Sequence, residues 1–481
     1  MRDFNKGTNG KLPDSVIIVT AIFLLIFAAR VFPYAGSQIP PGYDAGLYKY
    51  VIEQYIDNLP GIPEYDLPVW VRNAYPQGLF LLTDQLYLFG LEPSSILGAI
   101  FPLLCALLVF PLFIVAREFF GERAGFIAAI LYALSATQFH VFSLLYFKNV
   151  VGLILMLTSV YLLKRKRYAI LALTYAATGA YHRPTFLLLT LVLVARLIQL
   201  SVFWAKDRSD EQVRRSVKYL GLAVIAAWTL LAPLYLMRAE LYWDVFSSAI
   251  GSPSAGTFMD PGTYAWLSLA YLPFAVFGFV WLAKRRDLNL VFLWAAINGC
   301  IVVFSLFFYN RFIIHLDIAL IMLAAAGLGY VLDSKRVPKM LGVALITAVF
   351  AISGAMLLSE LQGMEPPISA NELDALAWLS DNLEKDSHII TLSSHAPWVL
   401  GWGGREVIAP GLFGHDEYSK DEWRDFLRDG SPDKIQEFLS IYDRPLYIYR
   451  KRGNGFGFID FENECFEKVY DGEAIIYRYV C

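Results

Sequence analysis

A carboxylate next to the first apolar segment is a candidate for acid–base chemistry. Asp44 stands in the run Tyr43-Asp44-Ala45-Gly46-Leu47-Tyr48, immediately before a helical pattern over 45–57. A membrane surface lowers the local dielectric, which raises the pKa of a carboxyl group toward neutrality. Asp44 could therefore act as a general base that takes a proton from a hydroxyl. The alternative is that Asp44 only caps the 45–57 helix, which suits Asp, and one residue can serve both roles.

Basic side chains at the outer ends of apolar segments are candidates for binding a phosphate. They are Lys148, His182, Arg183 and Arg311. Because the planar guanidinium of Arg fits two phosphate oxygens at once, Arg311 and Arg183 suit this role well. The alternative is snorkelling, in which the charged end of the side chain reaches lipid headgroups.

Two further ionisable residues follow Arg311 within the same apolar segment. His315 lies one turn beyond Arg311 on the same helix face, and Asp317 comes two residues later. Ionisable groups inside a membrane span usually face a cavity or a partner. Asp317 could take a direct role, or it could simply pair with Arg311 or His315.

The composition is that of a membrane protein. Hydrophobic residues make up 57% of the chain and charged residues 17%, with a mean hydropathy of +0.49, whereas soluble domains carry about 25% charged residues. The net charge of −3 gives no reason to expect a nucleic-acid partner. The apolar runs predict about eleven membrane-spanning helices, at 15–34, 96–116, 124–141, 150–163, 168–181, 184–204, 219–238, 264–283, 289–308, 312–332 and 340–359.

The distribution of Lys and Arg predicts the orientation of these spans. Positive residues are retained on the cytoplasmic side during insertion. With the spans above, all compact clusters fall on one side, and these are Arg2/Lys6/Lys11, Arg117/Arg123, Lys164–Arg167, Lys206–Lys218, Lys284–Arg286 and Lys335–Lys339. We therefore expect a multi-pass protein of the plasma membrane with a cytoplasmic N-terminus. The loop 36–95 and the tail 361–481 are then extracytoplasmic.

Two segments allow more than one interpretation. Residues 76–92 are apolar but short and contain Asp84. The charge rule favours a membrane-surface or re-entrant helix there, with a buried crossing as the alternative. The external loop 239–263 is rich in Gly, Ser and Pro and suits either a flexible flap or an ordinary connector.

The tail has the composition of a separate folded domain. Helical patterns cover 371–382, 421–427 and 432–439, and strand patterns cover 388–392 and 445–449. A chain of this size that alternates helices and strands predicts a small α/β domain. We therefore divide the sequence into a membrane domain, 1–360, and a soluble extracytoplasmic domain, 361–481.

The cysteines are too few for a disulfide scaffold. Cys105 and Cys300 lie in apolar segments and are expected to pack there. Cys465 and Cys481 flank a predicted hairpin of 466–470 and 474–480. Counting back from its turn places Cys465 opposite residue 478 or 479, with Cys481 a diagonal neighbour about 7–8 Å away. That separation is longer than a relaxed disulfide needs, so whether the two pair is left open.

The layout and several short motifs resemble the GT-C superfamily of integral-membrane glycosyltransferases, which use sugars linked to polyprenyl or dolichyl phosphate. Four stretches and the tail carry the resemblance, across nearly the whole chain: the acidic Tyr43–Tyr48 run, the Arg117–Arg123 turn, Arg183-Pro184-Thr185, Arg311-Phe312 with the small residues Ala324–Gly329, and the tail with Trp378-Leu379 and Trp398–Arg405. The resemblance implies that Asp44 has the acidic role of the first external loop. It also implies that Arg311 contacts the donor phosphate.

The sequence departs from the family in two places. No Asp-x-Asp pair occurs in an external membrane loop, so no cofactor is certain and a divalent metal lacks this support. The tail also lacks the Trp-Trp-Asp-Tyr-Gly signature of oligosaccharyltransferases. Trp398, Trp402 and Arg405 could instead form a platform for the acceptor or the sugar, because aromatic faces stack on sugars. The alternative is burial in the core of the tail.

These observations lead to one expected function and three alternatives. We expect a metal-independent glycosyltransferase that moves a sugar from a lipid-phosphate donor to a hydroxyl of a protein, lipid or polysaccharide at the extracytoplasmic face. An oligosaccharyltransferase-like enzyme is the first alternative, and it predicts an acidic metal cluster. A carrier or flippase for lipid-linked sugars is the second, and it predicts paired half-broken helices. A receptor or scaffold is a third alternative, but it leaves Arg183 and Arg311 without a role.

Overall fold

The structure is a computed structural model that describes residues 14–32, 40, 42–61, 67–240, 256–364, 368–410, 412–413, 417–428, 432–453 and 461–481. It divides into two compact units. The first unit comprises Met1–Ala35, Phe101–Phe142 and Phe147–Met364, and the second comprises Gly36–Ile100, Ser143–Tyr146 and Glu365–Cys481. The domain boundary at residue 360 inferred from composition stays a prediction.

Helices dominate the chain up to residue 364. In order they are α1 (Asp14–Val31), α2 (Ala45–Asp57), α3 (Val69–Ala74), α4 (Gln77–Leu88), α5 (Pro93–Phe120), α6 (Glu122–Leu134), α7 (Ala136–Ser143), α8 (Phe147–Lys164), α9 (Tyr168–Tyr181), α10 (Arg183–Lys206), α11 (Glu211–Leu236), α12 (Pro261–Leu267), α13 (Leu272–Lys284), α14 (Leu290–Val303), α15 (Tyr309–Asp333) and α16 (Lys339–Gln362). Each predicted span contains a helix.

The chain is a polytopic α-helical membrane protein, as the apolar runs predict. Within the described residues, seven helices are long and apolar enough to cross a membrane, or up to nine if two bent pairs each count as one span. The bent pairs are α6 with α7, at 50°, and α12 with α13, at 96°. The expected number of eleven spans stays a prediction.

Helix α15 lies at the centre of the first unit. Nearly every residue from Phe312 to Gly329 is buried. Glycines let α13 approach it closely, since a Cβ at Gly278 would overlap the backbone of Leu323 and one at Gly327 would overlap the backbone of Phe274. Small residues at such contacts are typical of membrane helices, whose association depends on close packing.

The two bends share one buried carboxylate. Asp317 on α15 accepts hydrogen bonds from Ser135 Oγ at 3.1 Å, Gln138 Nε2 at 2.9 Å, Tyr264 OH at 3.3 Å and Tyr271 OH. Ser135 and Gln138 belong to the α6–α7 bend, while Tyr264 and Tyr271 belong to the α12–α13 bend. Pairing of Asp317 with Arg311 or His315, one of the two alternatives for this residue, was therefore wrong. Its satisfied bonds give Asp317 a structural role, because a buried carboxylate needs such partners.

The first helices of the second unit agree with the sequence patterns. Helix α2 has the predicted bounds, and α4 lies within the apolar segment 76–92. Whether α4 rests at the membrane surface stays a prediction. Of the loop 239–263, residues 241–255, which include most of the expected flap, lie outside the described residues.

The tail forms an α/β domain around a five-stranded sheet. Its elements are α17 (Ala370–Asn382), β1 (His388–Ile390), α18 (Ala396–Gly403), β2 (Glu406–Ile408), α19 (Lys420–Arg428), α20 (Pro432–Leu439), β3 (Leu446–Lys451), β4 (Phe466–Asp471) and β5 (Ala474–Tyr479). The strand order is β2-β1-β3-β5-β4, with β1 parallel to both neighbours and the other pairs antiparallel. Helix α18 and strand β2 did not appear in the sequence-based assignment.

The hairpin closes a disulfide through a register that simple counting misses. A bulge between Lys468 and Tyr470 shifts the pairing, so Phe466 pairs with Tyr479 and the carbonyl of Cys465 accepts from the amide of Val480. Cys465 and Cys481 are bonded, with their Cα atoms 4.9 Å apart. The expected separation of about 7–8 Å was therefore wrong, because the turn pairs Asp471 with Ile475, whereas the count assumed that Tyr470 pairs with Ala474. Cys105 is buried as expected, whereas Cys300 is exposed on α14.

Candidate functional site

Three helices of the first unit begin with the basic residues identified in the sequence. Lys148 lies in the first turn of α8, Arg183 is the first residue of α10, and Arg311 lies in the first turn of α15. Unpaired backbone N–H groups and the helix dipole make such starts favourable for anions. The side chains therefore add three positive charges to ends that already attract negative charge.

A hydrogen-bonded chain of two histidines and a threonine joins two of these helices. His182, the residue between α9 and α10, contacts Thr185 through Nδ1 at 2.6 Å. The same Thr185 hydroxyl contacts His315 Nε2 on α15, also at 2.6 Å. The two imidazole rings are nearly parallel, with centroids 6.0 Å apart. All three residues are buried, so the start of α10 is fixed against α15.

Helix α8 packs against the same point through a glycine. A Cβ added at Gly152 would lie 2.8 Å from Thr185 Oγ1 and 3.0 Å from the Cβ of His182. Only glycine permits this approach without displacing a neighbour. The starts of α8, α10 and α15 are thus held together by packing as well as by hydrogen bonds.

The positive charges at these starts act together on His182. Burial lowers the pKa of its imidazole well below the usual range, and the charges of His315, Lys148, Arg311 and Arg183 lower it further. His182 is therefore neutral at neutral pH. The convergence of these charges on one residue places the four predicted phosphate-binding residues in one neighbourhood of the first unit.

Arg311 is held in place by the end of the 239–263 loop and by the residue that precedes α15. Its guanidinium donates to Thr257 Oγ1 at 2.8 Å and lies 5.9 Å from the ring centroid of Phe308. Its buried Nε has no hydrogen-bond partner among the described residues, and neither does the buried amide nitrogen Nδ2 of Asn149 beside Lys148. Buried donors without partners are rare and call for an acceptor. An anionic oxygen is the kind of acceptor that suits this positive neighbourhood.

Asp44 lies in the second unit, immediately before the first residue of α2. It occupies the capping position, but its backbone is helical (φ −75°, ψ −5°) and its side chain makes no capping hydrogen bond. The interpretation that Asp44 only caps this helix was therefore wrong, because that role requires a side-chain oxygen on a backbone N–H of the first turn. The half-buried carboxylate remains the candidate base.

The tyrosine next to Asp44 is not a competing base. Tyr43 donates its hydroxyl proton to the carbonyl of Ser393 at 2.6 Å. Burial, with a smaller contribution from the charge of Asp44, raises the pKa of Tyr43 to about 12. The phenol is thus neutral near pH 7.

Among the other acidic residues of the 36–95 loop, the nearest one on α2 is already engaged in an ion pair. Glu53 forms an ion pair with Lys49 at 2.6 Å. Burial raises the pKa of Glu53 while Lys49 lowers it. Asp57 is exposed at the end of α2, and Asp66 lies outside the described residues.

The tail residues proposed as a platform divide into two kinds. Trp398 is fully buried, and Arg405 uses its guanidinium on the carbonyls of Ser380, Leu383 and Gly404. These contacts favour the core interpretation for both. Trp402 is half-buried, stacks on Trp398 with centroids 4.8 Å apart and lies under Lys49 Nζ at 5.4 Å. A platform role for Trp398, Trp402 and Arg405 stays a prediction.

Three residues that make these contacts were not identified from the sequence: Thr185, Gly152 and Lys49. Lys49 pairs with Glu53 and lies over the ring of Trp402. Thr185 lies in the Arg183-Pro184-Thr185 run, but a threonine in an apolar helix gives no sign that it bridges two distant histidines. Gly152 is one of many glycines, and only the packing singles it out.

Across the ranges that the structure describes, no group of three His, Cys, Asp or Glu residues is arranged to hold a metal ion, and metal dependence stays a prediction.

Comparison with solved structures identifies the fold. An oligosaccharyltransferase from Archaeoglobus fulgidus in the apo form matches with a TM-score of 0.65 and 13% identity, covering 91% of this chain and 69% of that one. ArnT from Cupriavidus metallidurans matches with a TM-score of 0.60 and 14% identity, covering 97% of this chain and 98% of that one. The chain has the GT-C fold.

Other structures of the same two proteins contain ligands. The archaeal oligosaccharyltransferase has been solved with an inhibitory peptide and a dolichol-phosphate, at a TM-score of 0.63 to this chain. ArnT has been solved bound to undecaprenyl phosphate, at a TM-score of 0.60. No protein-family model matches the sequence, and no curated protein matches it. At these identities the likeness extends to the fold.

Proposed function

We propose that this protein is a glycosyltransferase that moves a sugar from a polyprenyl- or dolichyl-phosphate donor to an acceptor hydroxyl. The observation that carries the proposal is that the His182–Thr185–His315 hydrogen bonds and the close packing of Gly152 hold together three helix starts of the first unit, where Lys148, Arg183 and Arg311 lie. Such a neighbourhood favours a phosphate, and its place in an apolar helix bundle favours one attached to a lipid.

The similar structures support the same donor class. One binds dolichol-phosphate and the other undecaprenyl phosphate, and both share the fold of this chain. We propose that the donor phosphate of this protein meets Arg311 and Arg183, with His182 and Lys148 completing the positive neighbourhood.

In the proposed reaction Asp44 accepts the proton of the acceptor hydroxyl. The hydroxyl oxygen then forms a bond to the anomeric carbon of the sugar. The bond between that carbon and the phosphate oxygen breaks, and the phosphate leaves with the electron pair. Arg311 and Arg183 stabilise the growing negative charge on the phosphate. Neutral His182 remains available as a hydrogen-bond partner, and the proposal requires no metal.

We further propose that the chemistry takes place at the extracytoplasmic face. The Lys and Arg clusters at the opposite helix ends suit a cytoplasmic position. The disulfide between Cys465 and Cys481 suits an oxidising compartment for the tail. The proposed partners are a lipid-linked sugar donor, a protein, lipid or polysaccharide acceptor, and membrane lipids.

An oligosaccharyltransferase-like activity is the second candidate. It is favoured by the match to a structure of the archaeal enzyme that is tethered to an acceptor peptide with an NVT sequon. The two candidates differ in the acceptor, which is an amide nitrogen of Asn in one case and a hydroxyl in the other. Parallel assays with a sequon peptide and with hydroxyl acceptors distinguish them. Transfer only to the peptide would overturn the hydroxyl proposal.

The proposed function is tested by Asp44→Asn in membranes supplied with polyprenyl-phosphate-linked sugars. Asn keeps the size of the side chain but cannot take a proton, so transfer should fall about 10²–10⁴-fold. Binding of the lipid-phosphate donor should be retained. Asp57→Asn, at the exposed end of the same helix, is the matched control and should transfer normally. Near-normal transfer by Asp44→Asn would remove Asp44 as the base and direct the search to Glu53.

A further inference from the structure

A cavity of about 400 Å³ lies in the first unit at the helix ends opposite the candidate phosphate site. It is bounded by the end of α8, the C-terminal half of α10 and the turn before α14. Lys148 and Lys164 lie at the two ends of α8, 16 residues and therefore about 24 Å apart along the helix axis. The cavity is thus distinct from the neighbourhood of His182.

The charges that line the cavity are mostly positive. Lys164, Lys166, Arg196 and Arg286 face one carboxylate, Asp287. An adjoining cavity of about 420 Å³ shares Lys166 and adds Arg215. A cavity with this excess of cations favours an anionic occupant.

Arg196 is the least exposed of these cations. It lies within α10, a helix long and apolar enough to cross the membrane, where an arginine is costly unless it faces a cavity or a partner. Its guanidinium donates to Gln199, and Gln199 in turn donates to the carbonyl of Leu288 at 3.1 Å. Arg196 is therefore held by the wall of the cavity, and its bond to Gln199 engages one of the five N–H donors of a guanidinium.

Two turns at the cavity carry cations where glycine is usual. After α8, the backbone N–H of Lys166 donates to the carbonyl of Leu163, and that of Arg167 donates to the carbonyl of Leu162. After α13, the backbone N–H of Arg286 donates to the carbonyl of Ala283, and that of Asp287 donates to the carbonyl of Leu282. This is the same helix-ending motif twice, and its left-handed residue is normally glycine. Here that residue is Lys166 (φ 56°) and Arg286 (φ 57°). Strained positions filled by charged residues suggest a use for the charge.

Apolar side chains complete the lining, among them Leu163, Leu200 and Phe203. We propose that the cavity binds a phosphate group, with the headgroup of an acidic phospholipid as the occupant that its apolar wall favours. Basic pockets between membrane helices are suited to such headgroups. The turns around it contain the clusters expected to be cytoplasmic, so the lipid would come from the inner leaflet.

The test uses the full-length protein purified in detergent and stripped of lipid. Native mass spectrometry measures its binding of phosphatidylglycerol, phosphatidylcholine and inorganic phosphate. We expect phosphatidylglycerol to bind at least about tenfold more tightly than phosphatidylcholine, because both carry the phosphate but only phosphatidylglycerol has a net negative charge that the cationic cavity attracts. If millimolar inorganic phosphate displaces the lipid, the site recognises phosphate as such. If the lipid resists displacement, the site recognises the whole headgroup with its chains.

The decisive variant is the pair Lys166→Gly and Arg286→Gly. Glycine relieves the left-handed strain at both turns, so thermal stability should hold or rise while the affinity for phosphatidylglycerol falls about tenfold. Arg196→Gln should reduce the affinity further. Lys206→Gln, at the exposed end of α10 and outside both cavities, is the control. Equal binding of the two lipids by the wild-type protein, or unchanged affinity in the glycine pair, would overturn the proposal and leave the proposed function untouched.

Discussion

Arg311 shows how a single residue combines charge with a fixed position. Thr257 and Phe308 hold its guanidinium, while its Nε remains without a partner among the described residues. A phosphate that meets this group gains a directed pair of hydrogen bonds and does not have to order a flexible side chain. Replacement of Arg311 by alanine and by lysine should therefore weaken donor binding to different extents.

Arg311→Ala is expected to weaken binding of a polyprenyl-phosphate donor about 10- to 100-fold, the loss of a hydrogen bond to a charged group. Arg311→Lys should lose less, because it keeps the charge and loses only the planar fork. Equilibrium binding of a labelled donor to the purified protein measures both. Arg336→Ala, in the turn after the far end of the same helix, should bind like the wild type. Unchanged affinity in Arg311→Ala would remove this residue from the donor site.

Thr185 is a positioning residue, since it touches the two histidines and holds α10 against α15. Thr185→Val keeps the shape but leaves both imidazole nitrogens without their partner. This should cost about 1–3 kcal/mol of stability and weaken donor binding. Thr185→Ser restores the hydroxyl and should restore both. Thermal unfolding and donor titration of the two variants are the measurements, and a valine variant that behaves like the serine variant would contradict the bridging role.

At the residue scale, the sequence could nominate candidate side chains but could not show how they are held. Asp44 and Arg311 stand out because charges are rare beside apolar segments. The role of Thr185 depends on residues 130 positions apart, and no local pattern contains that information. Asp317 shows the opposite error, because its charge attracted attention while its four hydroxyl and amide donors were inconspicuous in sequence.

At the scale of elements, α2 and α18 pack more closely than side chains would allow. A Cβ at Gly46 would overlap the carbonyl of Pro397, and one at Gly401 would overlap Gly46. Lys49 adds a hydrogen bond from α2 to the carbonyl of Gly401 at 2.7 Å. The glycine of the Tyr43–Tyr48 run therefore serves packing within the second unit, next to the acidic residue at the start of α2.

Gly46→Ala is expected to destabilise the second unit by about 1–3 kcal/mol, because an added methyl in a closed contact forces the helices apart. The matched control is Gly98→Ala, which also lies in this unit and has open space around its Cβ position. Limited proteolysis of the tail and thermal unfolding report the difference. Equal resistance of the two variants to protease would show that the α2–α18 contact accommodates the added methyl group.

The elements themselves were mostly predictable. Long apolar runs gave the membrane helices, and alternating patterns gave β3 and the hairpin. Helix α18 was missed because its sequence, Ala-Pro-Trp-Val-Leu-Gly-Trp-Gly, is apolar all round and has glycines. The bends of 50° and 96° were also missed, although Pro273 at the start of α13 is a local signal for the second bend.

At the scale of the whole molecule, two independent features bear on orientation. The Lys and Arg clusters concern the membrane helices, and the Cys465–Cys481 disulfide concerns the tail. Insertion retains the positive clusters in the cytoplasm, whereas disulfides persist outside it. Both features predict that the tail is extracytoplasmic, although they arise from unrelated physical causes.

Cysteine labelling in intact cells tests this orientation. Cys105 and Cys300 are first replaced by Ala, and single cysteines are then placed at three exposed positions, Asn58→Cys, Asp425→Cys and Arg208→Cys. A membrane-impermeant maleimide should label Asn58→Cys and Asp425→Cys from outside, because the first loop and the tail are predicted to be extracytoplasmic. Arg208→Cys lies in a predicted cytoplasmic loop and should react only after the cells are made permeable, which also shows that the cells were sealed. Protection of both external positions in sealed cells would reverse the topology and place Asp44 away from an outer-leaflet donor. The extracytoplasmic part of the proposed function would then fail.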